Sequence, residues 1–132
     1  LAQANAALAE RFSPRLVREA SEIFSELTGG RYARVQISRQ MELEAGQPDA
    51  AMRRSLFLSG GTADELYLSV RLSVCRLLLP EDAPLLLDDA LVMFDDDRLR
   101  LALRLLQREA ANRQILLFTC QHREQKALTT DL

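Results

Sequence analysis

Two short apolar runs with no polar residue inside them, Leu85-Leu86-Leu87 and Ile115-Leu116-Leu117-Phe118, constrain this chain more than any other feature. A strand wetted on one face alternates in polarity, whereas a continuous run suits a strand buried in a parallel sheet. The first run ends in Asp88-Asp89, so acids stand at the C-terminal end of that strand. Between the runs, Asp95-Asp96-Asp97 opens a helix with three acids where the macrodipole favours negative charge. Leu99, Leu103, Leu106 and Ala110 form its apolar stripe. A further long segment ahead of Leu85 makes the order helix, strand, helix, strand, the alternation of an α/β layer.

That preceding segment has two readings. Leu68, Val70, Leu72 and Val74 alternate with Ser69, Arg71 and Ser73 as a strand would, yet Glu65, Ser69, Ser73 and Arg76 form one polar stripe of a helix. Thr62 and Glu65 have the spacing of a capping box, and a length of about 18 residues exceeds any ordinary strand, so the expectation is helix. Pro80 and Pro84 then bound a linker.

In the first half, residues 1–12 read as helical with no start signal before them. Ser13-Pro14 reads as an N-cap followed by proline at the first helical position. Leu16, Ala20, Ile23 or Phe24, and Leu27 keep helical spacing up to a stop at Gly29-Gly30. From Tyr32 the period becomes two. Ala33, Val35 and Ile37, then Met41, Leu43 and Ala45, predict a hairpin or meander that ends at Gly46-Gln47-Pro48-Asp49. The expected division is a helical segment over 1–30 and an α/β lobe over 31–132.

With 132 residues, 48% hydrophobic and 27% charged, the chain is one globular domain, neither disordered nor a disulfide scaffold. Leucine supplies 26 residues, enough for a core. Seventeen basic against 19 acidic residues leave a net charge of −2, which demands neither nucleic acid nor membrane as a partner. The longest apolar run is cut by Arg71 and Arg76, and Leu1 to Arg11 has no signal-peptide pattern, so a cytoplasmic protein without a membrane partner is expected. Cys75 and Cys120 read as buried thiols, and two cysteines with one histidine do not make a zinc site.

Three elements carry chemistry. Leu58-Ser59-Gly60-Gly61-Thr62 precedes a helix, where glycines allow close backbone approach and free N–H groups attract an anion such as phosphate. A glycine turn with an ordinary cap reads the same way. Asp88-Asp89 at a strand end can hold Mg²⁺ beside nucleotide phosphates, or can simply cap a turn. His122, beyond the second strand, can polarise a phosphate or orient water, or can be a solvated side chain.

Their order is more specific than any one of them. LSGGT, a long helix, LLLDD, a loop to FDDD, and a strand leading to a histidine together resemble the C-terminal half of an ABC-type ATPase head. The resemblance spans roughly Ser13 to Glu124 and is to the SMC-like branch with coiled-coil insertions, particularly SbcC-like and YhaN-like bacterial proteins. It implies an α/β fold, the C-terminal lobe of a P-loop NTPase: a helical segment plus β-hairpin, then parallel strands with flanking helices. It also implies ATP and Mg²⁺ as cofactors. Ser59, Gly60 and Gly61 would form the signature motif and meet the γ-phosphate of ATP bound to an opposing head. Asp88 would be the metal-assisting aspartate of Walker B, and Asp89 would take the place of the water-polarising glutamate. Val92-Met93-Phe94-Asp95 would be the D-loop, and His122 the switch histidine.

This sequence departs from the family pattern at three points. Thr62 replaces the usual glutamine of the signature, Asp89 is one methylene shorter than glutamate, and His122 follows Thr119 by three residues, with Cys120 in the expected place. No GxxxxGK[ST] occurs in the 132 residues, so no loop here cradles the β- and γ-phosphates. The expectation is a C-terminal piece of a larger ATPase, the helical start being the end of a coiled coil, inactive without an N-terminal Walker A lobe. The implied partners are that lobe, a second head in a homodimer, and DNA, in repair or chromosome maintenance. Arg100, Arg104 and Arg108 form a stripe that can track a phosphate backbone or be a solvated face. The competing expectation is a stand-alone, non-enzymatic α/β interaction domain, or a degenerate head that binds no nucleotide.

Overall fold

The computed structural model describes residues 2–38, 42–80 and 82–130, with side-chain surroundings from Pro14 to Thr129. Helix α1 runs over Ala2–Leu27. It passes through Pro14, where the sequence predicted a fresh start. A proline removes one N–H bond from a helix, and Pro14 stands at an exposed position among good helix formers, so the helix carries on through it. The expected stop at Gly29-Gly30 is a Schellman motif. Gly30 N–H donates to Ser25 O at 2.7 Å and Gly29 N–H to Glu26 O at 3.1 Å, with both glycines at positive φ.

Strands β1 (Arg34–Ile37), β2 (Leu43–Gly46) and β3 (Arg53–Arg54) form an antiparallel meander in that order. Arg34 pairs with Gly46 and Ile37 with Leu43. Met41, assigned to this alternation from sequence, lies outside the described residues. Val35 and Ala45 turn inward and pack with Ala20, Phe24 and Leu66 in the smaller of two cores.

A 3₁₀ turn at Ser55–Phe57 leads into helix α2, Gly60–Leu78. The long segment is therefore helical, but it begins earlier than the capping-box spacing suggests. Ser59 is the N-cap, Thr62 is in the first turn, and Glu65 is no capping residue. The polar stripe faces the interior. Glu65, Ser69 and Ser73 are buried, and Arg76 is half-buried against Glu109. Each serine satisfies its hydroxyl within the helix, Ser69 Oγ on Leu66 O and Ser73 Oγ on Ser69 O, both at 2.7 Å. Their small size suits a helix covered on more than one side. The helix ends where Leu79, extended at ψ 147°, precedes Pro80.

Strand β4 (Leu85–Asp88), helix α3 (Asp96–Glu109), strand β5 (Ile115–Phe118) and helix α4 (His122–Thr130) complete the chain. β4 and β5 are parallel, with Leu85 opposite Ile115 and Asp88 opposite Phe118. Asp95 caps α3, its Oδ1 accepting from Arg98 N–H at 2.9 Å. Leu99, Leu103 and Leu106 are buried as expected, joined by Ala102 and Leu105, while Ala110 is the exposed C-cap.

The larger core joins Ile23 and Leu27 of α1, Leu68 and Leu72 of α2, Leu85 and Leu87 of β4, and the apolar face of α3. The strands are buried on this face only. On the other, Leu86 is 61% exposed and Phe118 53%, and Leu116 is exposed as well. Two-sided burial, read from the unbroken apolar runs, is thus corrected to one-sided. The expectation of two buried thiols is corrected too: Cys75 is partly buried and Cys120 exposed, both free. No described helix is long and apolar enough to cross a membrane.

Candidate functional site

Ser59 and Gly60 are exposed at the start of α2, while Gly61 and Thr62 are buried beneath the turn that follows β4. A side-chain carbon at Gly61 would lie 2.6 Å from Arg98 Nη1 and 3.0 Å from the Met93 carbonyl oxygen. Glycine is needed here for close packing against the protein's own turn. At Gly60 the nearest atom would be Met93 Cε at 3.3 Å. The candidate signature motif and the candidate D-loop are therefore one packed unit.

Two arginines hold that unit, and neither was singled out from sequence. Arg98, in the first turn of α3, points three ways. Its Nη2 donates to Thr62 Oγ1 at 3.2 Å, its Nη1 lies 3.1 Å from Asp95 Oδ2, and its Nε lies 3.3 Å from Glu65 Oε1. Burial pushes the Glu65 carboxyl up to about 7, with Arg98 and Arg31 drawing it down and Asp95 adding to the rise. Arg123, in α4, donates to the carbonyl oxygens of Leu91 and Val92 at 3.0 Å each and to that of Phe94. Its Nε faces buried Glu124 at 3.6 Å. The turn is thereby fixed from α3 on one side and from α4 on the other, with Val92 and Met93 exposed at its tip. Arginine shows in a sequence as charge; its carbonyl and carboxylate partners lie far along the chain.

Asp88 ends β4 with an exposed side chain, and Asp89 follows at φ 46°. Aspartate tolerates this left-handed region better than longer acids, because its short carboxylate bonds locally. Here Asp89 N–H donates to Phe118 O at 2.9 Å, and Asp89 Oδ1 accepts from Cys120 N–H at 3.3 Å. The acid is tied to the end of the neighbouring strand through Cys120. His122 is the exposed first residue of α4, and its imidazole has no hydrogen-bond or ion-pair partner among the described residues. An open cleft of about 220 Å³ lies over the two acids, its far wall formed by Asp64, Tyr67, Leu68 and Arg71 of α2. Among the described residues, no three His, Cys, Asp or Glu side chains gather to hold a metal on their own. Asp88 and Asp89 fit a cation that takes its other ligands from water and phosphate, as Mg²⁺ does.

The arginine stripe of α3 is largely engaged. Arg100 pairs with Asp97, and Arg108 pairs with Glu26 of α1 at 2.5 Å. Arg104 is exposed.

An SMC ATPase described for its ATP-driven dimerization and DNA-stimulated activation has a similar structure. The TM-score is 0.74 at 19% identity, over 92% of this chain and 75% of that one. The fold is that of the C-terminal part of an SMC-like ATPase head. The Smc head of Pyrococcus furiosus, with an extended coiled coil and bound to the C-terminal domain of ScpA, shares this head fold at a TM-score of 0.71. That match is 18% identical and covers 91% of this chain and 31% of that one. In sequence, the chain is 34% identical over 110 residues to YhaN, an uncharacterized protein of Bacillus subtilis (strain 168). The match covers 81% of this chain, which spans 11% of the length of YhaN. No protein-family profile matches.

Proposed function

We propose that this chain is the signature and Walker B half of an SMC-like ATPase head, and that the full protein uses ATP to bring two heads together. One observation carries the reading: the exposed Ser59-Gly60 helix start rests directly on the Val92–Asp95 turn, which itself follows the paired acids at the end of β4. Bound Mg·ATP supplies the phosphoanhydride to be cleaved and a cation that offsets its charge. Asp88 would help hold that cation. Asp89 accepts the proton of the attacking water, oriented by its bond from Cys120 N–H. Ser59 and the first N–H groups of α2 meet the phosphate of ATP carried by the opposing head. The Walker A loop comes from an N-terminal lobe of the same protein, and the apolar face of Leu86, Leu116 and Phe118 is the surface such a lobe covers.

DNA is the partner of the full protein in this reading, in repair or chromosome maintenance. Its support is the DNA-stimulated activation of the similar SMC ATPase. The α3 stripe adds little, because Arg100 and Arg108 are already paired. Light scattering of the full-length protein, carrying Asp89→Asn to slow hydrolysis, tests the reading. Mass should rise on adding Mg·ATP; an unchanged mass at saturating ATP overturns it.

A further inference from the structure

We infer that Arg98 and Thr62 are positioning residues that turn Ser59 into an obligate outward hydrogen-bond donor, and so select an anion at the start of α2. The inference rests on the reading of Ser59 as a phosphate contact and explains how that contact is oriented. Three atoms form a chain. Arg98 Nη2 lies 3.2 Å from Thr62 Oγ1, and Thr62 Oγ1 lies 2.9 Å from Ser59 Oγ. A guanidinium only donates, so Thr62 Oγ1 is the acceptor in the first link. Thr62 is 3% exposed, and the acceptor within reach of its own proton is Ser59 Oγ. Directing that proton elsewhere would leave a buried donor unmet, which is costly. The charged donor also polarises the Thr62 hydroxyl and makes it the better donor of the pair.

Ser59 Oγ additionally accepts the Thr62 backbone N–H at 3.4 Å. Both of its lone pairs are then engaged from inside, and its single proton is left to point outward. Ser59 is exposed, so water or a ligand takes that proton. A hydroxyl with no free lone pair greets a phosphate oxygen well and a cation or N–H donor poorly. Threonine in the place of the family's usual glutamine thus has a defined task here: it passes the polarity of Arg98 to Ser59.

The test is a mutant cycle in the full-length protein, reading the ATP concentration for half-maximal head association, with melting temperature followed in parallel. Ser59→Ala should raise that concentration by about tenfold or more, the loss of a hydrogen bond to a charged group. Thr62→Val should raise it by a similar factor. Thr62→Ser, which keeps the hydroxyl, should restore the parent value. The Ser59→Ala, Thr62→Val double variant should be no worse than Ser59→Ala alone. If Ser59→Ala weakens association and Thr62→Val does not, the relay is wrong while Ser59 remains a phosphate contact. Equal losses for Thr62→Val and Thr62→Ser, or additive losses in the double variant, overturn it as well. An inert Ser59→Ala removes both the relay and the phosphate reading.

Discussion

Arg98 Nε stands 3.3 Å from Oε1 of Glu65, so a fully buried carboxyl in α2 meets the arginine that opens α3. The contact joins the helix that begins at Gly60 and Gly61 to the helix behind the Val92–Asp95 turn.

Burial of Glu65, only partly offset by Arg98, gives the fold a pH dependence of known sign. The Glu65 carboxyl is held at about 7 in the folded chain against 4.5 for the free group. Between those values the folded state keeps a proton that the unfolded state has lost. The contribution is therefore fully present below about pH 4.5 and is lost as pH rises through 7. Its span is on the order of 3 kcal/mol. Glu65→Gln should flatten the stability profile in that window, as read by urea unfolding at several pH values. An unchanged slope between pH 4.5 and 7 would show that Glu65 does not titrate there.

Gly60 and Gly61 should behave differently. Gly61→Ala places a methyl group against Arg98 and the Met93 carbonyl, and should destabilise the chain by about 1–3 kcal/mol. Gly60→Ala meets only the end of a flexible methionine and should be close to neutral. Thermal melts of the two variants measure the difference; equal effects would mean that the packing at Gly61 is not tight.

The order of strands and helices in the second half was legible in the sequence because β4 and β5 are short unbroken apolar runs and α3 between them carries a helical apolar stripe. Which side of an element is covered was less so. The stripe of Glu65, Ser69 and Ser73 was visible as a polar face, but periodicity reports a face without saying what lies on it, and here it is buried. The helix start was misplaced because Gly-Gly reads as a turn, although the first turn of a helix tolerates glycine well. Leu86 and Phe118 read as buried because an unbroken apolar run implies cover on both faces. The chain-local motifs at Ser59, Asp88 and Asp89 were visible, while the roles of Arg98, Arg123 and Cys120 exist only once distant segments meet.

That open face makes a prediction about the chain in isolation. Leu86, Leu116 and Phe118 present a contiguous apolar surface on the edge pair β4 and β5. The 132-residue chain alone should self-associate at high concentration, and Leu86→Lys with Phe118→Lys should reduce this without lowering helix content. Sedimentation velocity decides the point; a monomer at every concentration would contradict it.

The paired acids should divide their labour in the full-length protein. Asp88→Asn should weaken Mg·ATP binding together with turnover, since the cation loses electrostatic support. Asp89→Asn should leave binding nearly intact and slow hydrolysis on the order of 100-fold. Parallel ATP affinity and turnover measurements test this, and an Asp89→Asn protein that turns over at the parent rate rules out the base assignment.

On the proposed reading, Ser59 and its neighbours act on ATP held by another copy, and a mixing experiment separates this from action within one copy. One full-length variant carries Ser59→Arg; the other is unable to bind ATP through its Walker A loop. Each alone should fail to associate on adding ATP. Mixed, they form one intact composite site per pair, and ATP-dependent association should return, with hetero-pairs seen by differential labelling. If the mixture stays as inert as its components, the signature segment does not work across two heads.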